Sequence, residues 1–324
     1  MNPLRRRLAA AVLPLALPVI QPLLASSACA QGAFPERPIT LVVGFSPGSS
    51  IDLVARTVAK QMGQTLRQPV LVENKPGAGG NVAAEAVARA RADGHTLLVV
   101  ANSVAISPAL APTQGFDPLR DLAAIAYMGI GPVILKVNKA SGIDSVRDLV
   151  ARAKASPGKL NYGSSGEGGT PHMATVLFEQ INAISMTHIP YKGGGDALTA
   201  LMGGQIDLLI NPLLGDVRSE RIVSIAITGD ARSPLAPEVP TFKELGYDFN
   251  VGVYYGLMGP KGLPAPLIEQ INRIANEALA DPAVVETLTR RSGIVMTAMT
   301  PPQFHDYLLR DLALWKQVVA QRAR

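Results

Sequence analysis

Two glycine- and serine-rich stretches carry the residues best suited to chemistry: Gly44-Phe45-Ser46-Pro47-Gly48-Ser49-Ser50 and Gly163-Ser164-Ser165-Gly166-Glu167-Gly168-Gly169-Thr170. Each follows a short apolar run and leads into a helical pattern. The first N–H groups of a helix have no partner within it, and the helix start carries about half a positive elementary charge. Two such starts facing one cleft hold a small anion without any lysine, which is the chemistry of a carboxylate receptor.

The first stretch also matches G-x-S-x-G, the turn that presents a nucleophilic serine in one class of hydrolases. That turn uses the N–H of the residue after the serine as an oxyanion donor, and Pro47 has no N–H. A serine hydrolase working through Ser46 is therefore the remote alternative. Ser49 to Asp52 reads S-x-x-D, a capping box, so Asp52 is either a helix cap or a ligand contact. With the cap formed, the N–H groups of Gly48, Ser49 and Ser50 stay free for a ligand. In the second stretch Thr170 reads as an N-cap and Pro171 as the favoured first-turn proline.

Other polar groups are weaker signals. Pro76-Gly77-Ala78-Gly79-Gly80-Asn81 is either a phosphate-binding turn or a tight turn for close packing, and Val82 at the last motif position favours the second reading. Gly193-Gly194-Gly195 before Asp196 is weaker still. His95, His172, His188 and His305 fall at no metal-ligand spacing, so no metal and no cofactor are expected. His172 stands either in the cleft or at the surface. Asn102 and Asp207, at strand ends, are turn formers or ligand contacts.

The elements that must position these residues follow from hydrophobic period. Short β-branched runs alternate with amphipathic patterns, which predicts an α/β sheet with crossover helices. Strands are expected at 39–43, 70–72, 96–100, 160–162, 187–189, 206–210, 223–227 and 251–258, with two extended runs between 125 and 137. Helices are expected at 51–66, 81–90, 145–154, 171–184, 197–202, 265–279, 283–291 and 302–319. In the first helix Leu53, Val54, Thr57, Val58, Gln61 and Met62 form the expected buried face. The last three helices need something already built to pack on. They are expected to return to the first half of the chain, giving a discontinuous lobe of residues 31–127 and 251–324 and a second lobe of residues 128–250, joined by a two-strand hinge.

The chain has 324 residues, and its start reads as a signal peptide over residues 1–30: Arg5 to Arg7, an apolar stretch, then Ala28-Cys29-Ala30. Cys29 as a lipid-modified first residue is the competing reading, but Ser26 occupies a position where that motif wants a large aliphatic side chain. Three arginines leave with the segment, so much of the formal net charge of +5 belongs to targeting. No basic block remains to bind nucleic acid, and low aromatic content, 5%, gives no stacking platform. Cys29 is the only cysteine, so the rest of the chain is held together by its core alone.

Read together, these words in this order resemble the Bug family, the TctC-like extracytoplasmic receptors of tripartite tricarboxylate transporters. They are Phe34-Pro35-Glu36-Arg37-Pro38-Ile39, the Pro47-Gly48 turn ending in Asp52, Val72-Glu73-Asn74-Lys75-Pro76-Gly77-Ala78-Gly79-Gly80-Asn81, Ala92-Asp93-Gly94-His95-Thr96-Leu97-Leu98, Tyr162-Gly163-Ser164-Ser165-Gly166, Gly169-Thr170-Pro171-His172, Pro190-Tyr191-Lys192-Gly193 and Gly203-Gly204-Gln205-Ile206-Asp207. The resemblance implies a type II periplasmic binding protein fold, α/β in two lobes, closing on a small organic carboxylate. It implies binding contacts from Phe45, Ser46, Gly48, Ser49, Ser50 and Asp52, then Asn102 and Ser103, then Ser165, Gly169, Thr170 and Asp207. It also implies a periplasmic monomer, not an enzyme, that hands its ligand to membrane permease subunits. A sensing receptor for a membrane signalling partner is the alternative. Two departures, Ser49 for a glycine and Ile51 for a threonine, point towards a monocarboxylate or a partly apolar acid.

Overall fold

The computed structural model describes residues 34–110, 116–213 and 219–322. The expected signal peptide, its cleavage site and Cys29 lie outside the described residues.

The first half follows a strand–helix alternation: β1 (Ile39–Val43), α1 (Ser50–Leu66), β2 (Val70–Asn74), α2 (Asn81–Ala88), β3 (Thr96–Val100), α3 (Ser103–Leu110) and α4 (Pro118–Asp121). β1 is a β-branched run buried on both faces, as a strand inside a parallel sheet must be. β2 alternates between half-buried and exposed residues because it forms the sheet edge. In α1 the buried stripe is Ile51, Val54, Ala55, Val58, Ala59 and Met62. It is rotated from the expected face: the small Ala55 and Ala59, rather than Leu53 and Gln61, let the helix lie close on its neighbours. α3 was not expected, since Val104, Ala105, Ile106 and Ala109 are all buried and leave no amphipathic signal, and Pro108 lies inside the helix.

The second series begins with β4 (Leu122–Asn138), then α5 (Val146–Ala155), β5 (Asn161–Ser164), α6 (Thr170–Asn182), β6 (Thr187–Pro190), α7 (Gly194–Met202), β7 (Leu208–Pro212) and β8 (Ile222–Ile227). β9 (Gly252–Pro260), α8 (Ala265–Ala280), α9 (Pro282–Ser292) and α10 (Pro301–Arg322) close the chain.

The strands order as β2-β1-β3-β9-β4-β7-β5-β6, with β8 also on β4. The two expected extended runs are one long strand. The first part of β4, Leu122 to Pro132, pairs antiparallel with β9, and the rest pairs with β7 and β8. The change of partner falls at Pro132 and Val133, a few residues beyond the expected boundary at 127–128. α8 and α9 lie on α1, and α10 lies on α3 and β4. α10 also reaches α6, where Gln180 Nε2 donates to the Val318 carbonyl at 2.9 Å.

Asn102 shows how the halves are stitched. Its Nδ2 donates to the Gly252 carbonyl and its Oδ1 accepts the Tyr254 N–H, both at 3.2 Å, fastening the end of β3 to β9. Asn102→Ala strands both buried backbone groups. It is expected to lower unfolding free energy by about 2–4 kcal/mol in urea denaturation without any ligand present, since each stranded group costs about 1–3 kcal/mol.

On α10 the Trp315 indole donates to Asp311 Oδ1 at 3.0 Å. Burial pushes the Asp311 carboxyl up to about 7, against the opposing pull of Tyr254 and Trp315. A carboxyl that binds its proton more tightly when folded stabilises fully below its unfolded value. That contribution is lost as pH rises from about 4 through about 7. Asp311→Asn should flatten this part of the stability profile in urea melts taken from pH 4.5 to 8. An unchanged slope would refute the assignment.

Candidate functional site

Strand ends and helix starts meet where the two halves face one another. The first turn is braced by Asp52, which is 4% exposed. Its Oδ2 accepts the Gly48 N–H and Arg56 Nε, each at 3.0 Å, and its Oδ1 accepts Asn74 Nδ2 at 2.9 Å. Burial alone would raise this carboxyl, but the bonds from Arg56, Gly48 and Asn74 hold it below the ordinary carboxylate range. The expected capping box does not form. Ser49 is the N-cap residue with no side-chain cap bond, and its buried Oγ has no hydrogen-bond partner. Nor do all three expected amides stay free, because the Gly48 N–H goes to Asp52 and the Ser49 N–H to the Ser46 carbonyl at 3.3 Å.

The second turn is braced from behind by imidazoles. Ser164 Oγ and His188 Nε2 are 2.6 Å apart, and the Gly168 N–H donates to His172 Nδ1 at 3.2 Å. The two rings stack at 4.1 Å. His172 is 1% exposed, so it is neither a cleft wall nor a surface imidazole but a support for the loop. Gly169, not Thr170, takes the N-cap position of α6. Thr170 Oγ1 reaches Asn102 Oδ1 at 3.4 Å.

Both turns open on one cavity of about 140 Å³. Phe45, Gly48, Ser49, Ser50 and Ile51 line it from one side, and Ser165, Thr170 and Pro171 from the other. Gly194, Gly195 and Leu198 of α7 complete the second wall. Lys136, Asn211, Pro212, Val253 and Tyr255, on β4, β7 and β9, line the remainder with Ala101. Three helix starts, not two, therefore reach the cavity. α7 starts within the Gly193-Gly194-Gly195 run, with Gly193 as its N-cap, and the lack of Cβ atoms there was the readable signal.

Several expected contacts stand elsewhere. Asp52 is consumed by its own turn, and Asn102 by β9. Ser103 begins α3 and lines a separate small cleft beside Gly80. Gly169 caps α6 beside the cavity without lining it. Asp207 lies at the opposite end of β7 from the cavity, where Oδ2 accepts the Asn161 N–H at 2.7 Å and fastens β7 to β5. Ser46 does not line the cavity either: its Oγ donates to the Lys192 carbonyl at 3.3 Å and approaches Asp196 Oδ2 at 3.5 Å. The expectation of an anion site without lysine is also corrected, because Lys136 lines the cavity at 3% exposure. Its signal was one lysine inside the apolar run of residues 133–137.

Glycines set how closely the opposing loops approach. A Cβ on Gly44 would stand 2.6 Å from Gly80 Cα, so the first turn and the Pro76–Asn81 turn stack directly. A Cβ on Gly79 would stand 2.5 Å from the Glu167 carbonyl oxygen, so the Pro76–Asn81 turn also lies against the second loop. The Pro76–Asn81 turn is thus a packing turn, and its partner is the second loop. Among the described residues no group of three or more His, Cys, Asp or Glu side chains gathers to hold a metal ion. No described helix is long and apolar enough to cross a membrane.

The chain matches the family model described as the tripartite tricarboxylate transporter family receptor over residues 54–323. It is 35% identical over 294 residues to protein BugT of Bordetella pertussis, covering 89% of this chain and 90% of that one. Among solved structures, MatC from Rhodopseudomonas palustris with bound malate is 30% identical with a TM-score of 0.82, over 88% of this chain and 100% of that one. An R. palustris protein with adipate is 28% identical with a TM-score of 0.83, over 89% and 98%. The fold is therefore the α/β periplasmic binding protein fold that the resemblance implied. With this extent of match in sequence and in fold, the chain belongs to the tripartite tricarboxylate transporter receptor family.

Proposed function

We propose that this chain is a non-catalytic receptor that captures a small organic carboxylate in the periplasm and hands it to the membrane permease subunits of a tripartite transporter. The observation that carries the reading is the convergence of the α1, α6 and α7 starts on one cavity. Helix starts offer oriented N–H donors and partial positive charge, which suits a carboxylate and needs no reacting side chain. Malate and adipate in the related structures fit the same chemistry.

The proposed ligand contacts are Phe45, Gly48, Ser49 and Ser50 on one side and Ser165 and Thr170 on the other. Residues 31–127 with 251–324 act as one lobe and 128–250 as the second, after removal of residues 1–30. The protein works as a monomer. Turnover at Ser46 is not part of this reading, because Pro47 offers no amide and Ser46 Oγ is engaged by the Lys192 carbonyl.

Capture by closure stabilises whichever arrangement lets the ligand touch both walls, so its strength depends on how far the walls can approach. A thermal-shift screen over organic acids tests the class. At about a hundred times its dissociation constant a true ligand adds about 2.7 kcal/mol of stability. Shifts with sugars and none with acids would overturn the reading.

Two variants test the geometry by calorimetric titration with the best acid from that screen. Gly79→Ala puts a methyl group against the Glu167 carbonyl and is expected to weaken binding about tenfold or more by opposing closure, with a small loss of apo stability from its positive φ of 62°. Ser165→Val removes a polar group from the wall, and undiminished affinity would discard that contact.

A further inference from the structure

Where β4 changes partners, the paired strands carry few side chains. Gly129 and Gly131 on β4 and Gly252 on β9 fall within this crossover, and the register shifts between Tyr127 and Gly129, leaving Met128 as an extra residue. Gly129 has a φ of 123°, which other residues rarely adopt. A bulged strand bearing glycines bends with little resistance, so this stretch fixes no angle by itself. The segment that follows α9 lies across it. Ile130 donates its N–H to the Val295 carbonyl at 3.0 Å and accepts the Val295 N–H at 2.8 Å. Ile294 is fully buried and fills the space that the glycines leave. A Cβ on Gly131 would stand 3.0 Å from its Cγ1, and one on Gly129 would stand 2.9 Å from its Cγ2. The backbone of Ile294 is held to α9, its N–H by the Leu288 carbonyl at 3.4 Å and its carbonyl by Thr289 Oγ1 at 3.2 Å. One residue earlier, a Cβ on Gly293 would meet Leu213 at 3.3 Å and Pro132 at 3.4 Å. α9 packs on α1, whereas Leu213 follows β7 and packs with Ile134 and Ile227. The segment thus ties the helix that starts at the first turn to the strand that brings Asn211 and Pro212 to the cavity.

We propose that Ile294 is a positioning residue for ligand binding: lodged against Gly129 and Gly131, it holds the bend of β4 and so sets how far apart the cavity walls stand. It does not line the cavity and acts on the ligand only through the strands. The opposing loops already meet where Gly79 lies against Glu167, so closure has no room left and freedom released at the bend goes into opening. A protein that spends less time in its receptive arrangement binds more weakly by the same factor. The inference rests on the receptor reading, with walls that move about the crossover of β4 and β9.

The test combines small-angle X-ray scattering of the ligand-free protein with calorimetric titration by malate and by adipate. Ile294→Ala empties the space over the glycines, whereas Ile294→Val keeps both atoms that face them. Ile294→Ala is expected to enlarge the ligand-free radius of gyration and to weaken acid binding about three- to tenfold, with the wild-type radius restored at saturation. Ile294→Val should match the wild type in both measurements. Val295→Pro removes the N–H that Ile130 accepts, changes a side chain that is 62% exposed, and serves if Ile294→Ala does not fold. A wild-type radius in the folded Ile294→Ala or Val295→Pro protein overturns the inference, as does an Ile294→Val protein that binds as weakly as Ile294→Ala. Scattering needs no ligand, so failure of the wild type to bind either acid counts against the receptor reading while the ligand-free radii still decide the role of Ile294.

Discussion

The antiparallel pairing of β4 with β9 is the constraint on which the remaining architecture depends. β4 changes partners along its length, serving one half of the sheet up to Pro132 and the other half from Val133. β9 joins β3 to β4, so within the sheet the parallel first half reaches the second through this pair. Antiparallel neighbours exchange short bonds perpendicular to the strands, which gives a firm junction with little side-chain demand. Because the chain runs through this junction twice, the strand ends on both sides open towards the same place, and the loops that leave them share one cavity.

Within that frame each loop is stiffened by a different device. Asp52 gathers an amide, a guanidinium and a carboxamide around the first turn, and the stacked His172 and His188 stand behind the second. Neither Asp52 nor the two imidazoles line the cavity, whose wall is left to backbone, hydroxyl and apolar groups with Lys136 and Asn211. Preorganisation of this kind lowers the ordering cost of binding, since the loops are already fixed before a ligand arrives.

Much of this was legible in the sequence, and the rest was hidden for identifiable reasons. Alternating strand and helix periods revealed the α/β class and nearly every strand, and the two glycine-serine stretches revealed two of the three helix starts. α3 escaped because burial on all sides removes amphipathic contrast. By residue type Asp207 and Asn102 stood open as turn formers or ligand contacts, and only the resemblance gave them contact roles; a polar residue at a strand end does not show which partner it meets, and the structure sets Asp207 on the Asn161 N–H. Lys136 was missed because an apolar run with one lysine reads as an ordinary strand. The groups that line the cavity with it, Asn211 and the start of α7, are far away in sequence.

Three side-chain contacts beside the cavity are long: Thr170 Oγ1 to Asn102 at 3.4 Å, and Ser46 Oγ to the Lys192 carbonyl and Asp196 at 3.3 and 3.5 Å. Hydrogen bonds of this length are weak, and water replaces them at little net cost. These contacts therefore add little of their own, and how near the loops come is set by glycines: a Cβ on Gly79 would meet the Glu167 carbonyl, and one on Gly193 would meet Ser46.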